Sequence, residues 1–263
     1  MLETVNPVRF HAAVTSGRTR PARVECQKSD ETLVEVIAKF AGGCDRGETA
    51  LAMEVVAACL AADLGLPIPT PYLLAIDPAW VRTIPDAAYR DIVARSGAIA
   101  YGSTDVGSDY RAWTSYDRLT PQLMPVALAI FCFDAFINNS DRRDGNPNCL
   151  RKDEQLRIFD HELTFLYKGV LLWREPWKVS ALAPFASPGR HIFQTKLKGQ
   201  ALDMAPVRAA WAALSDGRLA SYKGSLPAAW SNTGAAVDDA ISLIQGVRNH
   251  IDDALAEVRR VLT

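Results

Sequence analysis

The chain lacks any pair of cysteines at metal-ligand spacing, and its five cysteines, Cys26, Cys44, Cys59, Cys132 and Cys149, are odd in number and lie mostly among apolar residues. This argues against a disulfide scaffold or a structural zinc and suits buried thiols in a reducing compartment. The N-terminal stretch MLETVNPVRF has neither the basic nor the apolar region of a secretory leader, so none is expected. The longest apolar run, Pro125–Ile137, is interrupted by Asp134 and falls short of the ~20 residues a bilayer span needs. Neither charge sign dominates: 29 Lys and Arg face 30 Asp and Glu, so binding to nucleic acid or to an anionic membrane is not expected. There is no G-x-G-x-x-G, no tandem repeat and no low-complexity run, and His11, His191 and His250 are scattered without metal-ligand spacing. A cytoplasmic protein is expected.

What is present is ordinary globular composition. With 263 residues, 49% hydrophobic and 22% charged, the chain is long enough for one large domain or two lobes. From Val8 to Phe40 the pattern is strand-like, with short runs at Ala22–Gln27 and Leu33–Phe40 that predict a small antiparallel sheet. The turn-rich patch Thr15–Pro21 holds one glycine and, read alone, is a hairpin connection. Lys39 closes the third run, where a lone lysine would ordinarily be a solvated strand residue. Residues 47–65 predict a helix with Leu51, Val55, Ala58 and Ala62 on one face and Gly65 as its stop. Glu54 borders that face. Glu48 sits in the first turn, where a carboxylate also serves the helix dipole, so Glu54 is the preferred partner for Lys39. The prolines of Leu66–Pro71 force an extended path into a strand at Tyr72–Ile76, residues 77–97 read as loop and short helix, and Ala98–Tyr101 is a last short strand ending at Gly102 and Ser103.

The stretch Phe136–Phe165, FINNSDRRDGNPNCLRKDEQLRIFDHELTF, carries the most chemistry. An apolar helix over Pro121–Ile137 runs into the turn-forming cluster Asn138–Asp141. Four residues then separate Asp141 from Asn146, the D-x-x-x-x-N spacing. That spacing lets a carboxylate orient an acceptor hydroxyl while an amide oxygen of the same loop takes Mg²⁺ beside one transferring phosphoryl group. A hairpin turning at Lys152-Asp153-Glu154 returns through Leu156–Phe159 to Asp160, a hard oxygen donor suited to the same cation. His161 and Glu162 stand where a D-F-G motif would continue. A histidine after such an aspartate more often makes a structural hydrogen bond than it transfers protons. Arg142 and Arg143 read either as phosphate or acidic-substrate contacts or as solvated loop charges.

NNSDRRDGNPNCL followed by LRIFDHELTF, with VIAKF around Lys39 and the Glu54 helix leading to LGLPIPTPYLLAID, resembles the HipA-like kinase domain family. The phosphatidylinositol 3- and 4-kinases are more distantly similar. The resemblance covers about residues 8–165. It implies a bilobal α+β fold of protein-kinase type, with a small antiparallel sheet and helix over 1–103 and a larger, mainly helical lobe over 104–263. It also implies ATP and Mg²⁺ as cofactors. Ser16 and Gly17 would cover the phosphates, Lys39 would contact them with Glu54 in support, and Tyr101, Gly102 and Ser103 would form the hinge beside adenine. Asp141 would be the catalytic carboxylate, and Asn146 and Asp160 would hold the metal. The implied reaction is transfer of the γ-phosphoryl group to a hydroxyl, a protein Ser or Thr by resemblance, with an antitoxin-like protein as a further partner. The place of Thr15 and Ser16 in the expected phosphate loop makes either a candidate site of self-phosphorylation that switches the protein off. A lipid or small-molecule alcohol as acceptor, and a catalytically silent nucleotide-binding module, stay open as alternatives.

Beyond Phe165, Trp173, Trp177, Phe185 and Phe193 fall in a proline-rich region that suits packing, an activation-segment equivalent or a substrate platform. Val207–Leu214 predicts a short helix, and Val237–Leu262 a long one with an apolar stripe from Ile241 to Leu262.

Overall fold

In β2 (Ala22–Gln27), Ala22, Val24 and Cys26 are buried while the residues between them are not, the alternation that lets a strand cover a core with one face. β1 (Glu3–Ala13) and β3 (Leu33–Lys39) pair antiparallel with β2 on either side. β4 (Pro71–Ala75) and β5 (Ile99–Thr104) complete the set. The computed structural model describes residues 2–14 and 19–263. The expected phosphate cover at Ser16 and Gly17, with the self-modification sites Thr15 and Ser16, lies outside the described residues.

The expectation of a purely antiparallel sheet needs correction. The strands close in the order β1-β2-β3-β5-β4, because Glu3–Val5 pair in parallel with Tyr72–Leu74. β1 starts earlier than the apolar pattern suggests and carries two irregularities, at Pro7/Arg9 and Phe10/Ala12. Such bulges bend a strand, so its two halves can meet different neighbours. Residues 77–97 form two capped helices, α2 (Pro78–Thr83) and α3 (Ala87–Ala94), begun by Asp77 accepting from Ala79 N at 2.7 Å and Asp86 accepting from Tyr89 N at 3.0 Å. Trp80, Ile84, Tyr89 and Val93 of this region join Val24, Val36 and Leu74 of the strands, and Phe40 just after β3, in one core.

The helix predicted over 47–65, here α1 (Glu48–Asp63), is buried nearly all round from Ala50 to Ala58, including Ala52, Met53, Val56 and Ala57 off the expected face. A helix this apolar on every side has no solvent face to offer. Ala62, expected inside, is exposed.

Contacts divide the chain into two units, one comprising the residues up to Ala58 with Pro69–Gly107 and Ser221–Val237, the other Cys59–Ile68, Ser108–Ala220 and Asp238–Thr263. The second is mixed as well: beside its helices it holds a three-stranded antiparallel sheet of β6 (Arg111–Ala112), β7 (Cys149–Lys152) and β8 (Gln155–Ile158). Its central helix is α4 (Met124–Phe136), in which Ile130–Phe136 are all buried, Asp134 among them. α5 (Gln194–Leu197), α6 (Ala205–Ala212) and α7 (Asp216–Gly224) follow; the last has no counterpart in the sequence reading. The long C-terminal helix is in fact two, α8 (Gly234–Asn249) and α9 (Ile251–Leu262), broken at His250 with φ −121° and ψ 32°. Asp252 and Asp253 in the first turn favour a fresh helix start there. The apolar stripe survives the break, since Ile244, Val247, Ile251, Leu255, Val258 and Leu262 are all buried. α9 packs on α4, α5 and α6.

No described helix is long and apolar enough to cross a membrane. None of the five cysteines is in a disulfide, and burial pushes Cys26 and Cys149 up to about 12.

Candidate functional site

In the first unit, β3 ends by delivering Lys39 into the interior, where it is 7% exposed. Its Nζ lies 2.5 Å from Oε1 of Glu54, itself 1% exposed on α1. Glu48, the competing acid, is half-buried in the first turn of the helix. Opposite Lys39 stands Tyr101 of β5. Tyr101, Gly102 and Ser103 lie inside that strand, paired with β3 on one side and β4 on the other, so their backbone groups are committed to the ladder. The chain leaves β5 only after Thr104, and this segment of the first unit runs on to Gly107. Gly102 is required for packing: a Cβ there would meet Val36 Cγ1 at 2.4 Å and Leu74 Cδ1 at 2.9 Å.

In the second unit, α4 ends at Phe136 and the chain turns sharply at Asn138, whose φ is +58°. Asn139 then holds the loop to the helix: its Nδ2 donates to Asp134 Oδ1 at 2.7 Å, and its Oδ1 accepts from the backbone N–H of Asp141 at 3.2 Å. The gap between Asp141 and Asn146 is closed by a tight turn, with reciprocal backbone bonds between Arg143 and Asn146 and Gly145 at φ +88°. That turn folds Asn146 back so that its Nδ2 donates to Asp141 Oδ2 at 2.8 Å. Asn148 Nδ2 donates to the same oxygen at 3.2 Å. With its nitrogen engaged on Asp141, the Asn146 amide has its oxygen left to present to a cation.

β7 and β8 form the expected hairpin, with Lys152 opposite Gln155, and lead to Asp160 at φ +63°. Aspartate tolerates this left-handed conformation at a cost of about 1 kcal/mol. Of the nine non-glycine residues with positive φ among those described, five fall between Asn138 and Phe165, so backbone strain concentrates on this stretch. Glu162 brings a carboxylate oxygen within 4.8 Å of one from Asp160. Two adjacent carboxylates and an amide oxygen in the same loop system are hard donors of the kind Mg²⁺ takes.

Arg142 corrects the sequence reading. It is 0% exposed and neither a solvated charge nor a phosphate contact: Nε donates to Asp134 Oδ2 at 2.6 Å. His161 is likewise structural, with Nε2 2.9 Å from Arg142 Nη2. Because a guanidinium only donates, that nitrogen accepts and the proton of the neutral ring sits on Nδ1. His191 packs beside them: its Nδ1 accepts from Phe193 N–H at 3.1 Å, leaving Nε2–H to donate to Asp134 Oδ2 at 3.0 Å. Burial holds the His191 pKa below the ordinary value. Burial would raise Asp134, but Arg142 and His191 outweigh it and hold its carboxyl down at about 2. Arg143 is exposed.

Sequence reasoning missed Asn139, Asn148 and the Asp134–Arg142–His191 cluster. One signal was available: an aspartate inside an otherwise apolar helix has to find a buried cation or donor.

The family model described as HipA-like kinase matches residues 8–174, well over half of the chain. The chain belongs to the HipA-like kinase family. No curated protein matches it significantly in sequence. Among solved structures, the Helicobacter pylori proinflammatory kinase CtkA is similar, with a TM-score of 0.53 at 11% identity over 95% of both chains. At that identity the likeness speaks to the fold, which is a mixed α+β kinase fold. The HipA-like match spans both Lys39–Glu54 and the Asp141–Asp160 stretch.

Proposed function

We propose that this HipA-like protein is a bilobal, Mg²⁺-dependent phosphotransferase that moves the γ-phosphoryl group of ATP to a hydroxyl, that of a protein serine or threonine. The observation that carries the reading is the Asp141 carboxylate, held by the amides of Asn146 and Asn148 in a D-x-x-x-x-N loop that is followed by a strained Asp160. Family membership supports the reaction class. Five cysteines outside any disulfide suit a cytoplasmic, reducing setting.

Within this reading the residues divide the work. Lys39, oriented by Glu54, meets the phosphates. Asp141 orients the acceptor hydroxyl and takes up its proton as the bond to phosphorus forms. Asn146 through Oδ1 and Asp160 through its carboxylate hold the cation, with Glu162 as a further acidic donor beside Asp160. When bound, Mg²⁺ neutralises charge on the phosphate oxygens. The adenine edge is met by backbone from the end of β5 onward, since Tyr101–Ser103 are engaged in the ladder.

The test is transfer from labelled ATP by wild type, Asp141→Ala and Asp160→Ala, against protein, lipid head-group and small-alcohol acceptors. Transfer to protein hydroxyls by wild type alone supports the proposal. Equal transfer by all three proteins overturns the site assignment, and transfer confined to lipid or small alcohols overturns the acceptor.

A further inference from the structure

Arg142 follows Asp141 directly, and where Asp141 is half-buried Arg142 is fully buried in the interior of its unit. A guanidinium has five N–H donors. Each has an acceptor here: Nε on Asp134 Oδ2 at 2.6 Å, Nη2 on Asp134 Oδ1 at 3.4 Å and on His161 Nε2 at 2.9 Å, and Nη1 on the carbonyls of Asn148 and, at 3.3 Å, Phe159. Its own carbonyl accepts from Ile192 N at 3.3 Å. No donor remains for a phosphate.

The acceptors are not scattered. Phe159 and His161 flank Asp160 on either side, and Asn148 is one of the two amides that hold Asp141. A strained φ such as that of Asp160 persists only where its surroundings over-determine it. Arg142 supplies that constraint from both neighbours of Asp160 at once. Asp134 fixes the guanidinium plane through two oxygens and is itself held by Asn139 and His191. From this geometry we infer that Arg142, through His161, is the positioning residue that sets Asp160 relative to the Asp141 loop. The inference rests on the phosphotransfer reading for its consequence, but its geometry is independent of it.

Lysine cannot substitute. It would keep the positive charge beside Asp134, but its donors radiate from one nitrogen and cannot reach Asn148, Phe159 and His161 together. At His161, Gln retains an acceptor for Arg142, whereas Phe retains only the edge-on packing against Phe133. Residues that hold metal ligands in place are worth about 10- to 100-fold in metal affinity. Mn²⁺ binding in the presence of a non-hydrolysable ATP analogue, read by electron paramagnetic resonance, is therefore expected to weaken by about 10- to 100-fold in Arg142→Lys and His161→Phe. His161→Gln is expected to keep wild-type affinity. Amide hydrogen exchange without nucleotide is the second readout, and exchange across residues 159–164 is expected to quicken in the first two variants and not in the third. Wild-type affinity together with unchanged exchange in His161→Phe overturns the inference, as does identical behaviour of the Phe and Gln variants. If wild type binds neither Mn²⁺ nor the analogue, the phosphotransfer reading fails, and the exchange pattern alone decides whether Arg142 positions Asp160.

Discussion

The Nζ of Lys39 and Oε1 of Glu54 lie 2.5 Å apart with both side chains buried, so the strand lysine and the helix glutamate form one ionic unit inside the first unit of the chain. Removing one partner of such a pair costs about 3 kcal/mol, because the other charge stays buried. Glu54→Gln, which keeps the shape of the side chain, is expected to lower the melting temperature by about 6 to 12 °C. If the pair also aims Lys39 at phosphates, Lys39→Ala and Glu54→Gln reduce transfer from ATP non-additively, and the double variant is no worse than the poorer single one. A double-mutant cycle with thermal melts and transfer rates reads both effects; additive losses mean that the two residues act separately.

Asp141 is held by two amide donors on one oxygen. Asp141→Asn replaces an acceptor with a donor and, in the proposed reaction, removes the group that takes the hydroxyl proton, so transfer is expected to fall by about 10²- to 10⁴-fold. ATP affinity, measured by calorimetry, is expected to hold. Asn148→Ala removes one donor to a charged oxygen, worth about 1.5 kcal/mol, and is expected to lower kcat about tenfold with KM for ATP unchanged. A variant at Asn148 with wild-type kcat would show that Asn146 alone fixes the carboxylate.

The difference between Asn146 and Asn148 shows what could be read from the sequence. Asn146 stands at a spacing with a chemical reason, so it was visible as a candidate; Asn148 depends on how the loop folds back after Pro147, which no spacing announces. The β7–β8 hairpin, the Lys39 strand and the Glu54 helix were legible as elements because local pattern sets them, whereas the burial of that helix on every side was not. The parallel pairing of β1 with β4 joins residues about seventy apart and depends on bulges in β1, so local pattern could not show it. Arg142 was misread for a related reason. A charged residue in a polar loop looks solvated until its partner, Asp134 on the preceding helix, is seen to be buried beside it. The long C-terminal stripe kept its burial but not its continuity, because apolar spacing survives a one-residue break at His250.

The aromatic and proline-rich segment after Phe165 is seated on the C-terminal helices. Trp177 stacks on His250 at 5.1 Å between centroids, and a Cβ at Gly246 would stand 2.3 Å from Trp177 Cη2. Ser180 N–H donates to Glu257 at 2.7 Å a little further on. Gly246→Ala therefore overpacks this contact and is expected to destabilise the protein by about 1 to 3 kcal/mol. Trp177 fluorescence is expected to shift toward solvent-exposed emission in the same variant. An unshifted spectrum with an unchanged melting temperature would mean that the segment accommodates the methyl by moving as a whole.

The buried cluster around Asp134 gives stability a defined pH dependence. His191 has its pKa depressed below the ordinary value of 6.5 by burial, and the charges acting on it are Asp134, Arg142 and Asp144. The unfolded chain therefore takes a proton below about pH 6.5 that the folded chain refuses, and stability falls as pH drops through that value. Asp134 is depressed to about 2 from 3.8, so its contribution is complete above about pH 4 and is lost as pH falls from there toward 2. Urea titrations across pH 2 to 8 are expected to show two descending steps. His191→Gln can still donate to Asp134 but has no ring to protonate, so it is expected to abolish the step near pH 6 and keep the lower one. A variant that retains the step near pH 6 would assign it to a histidine other than His191.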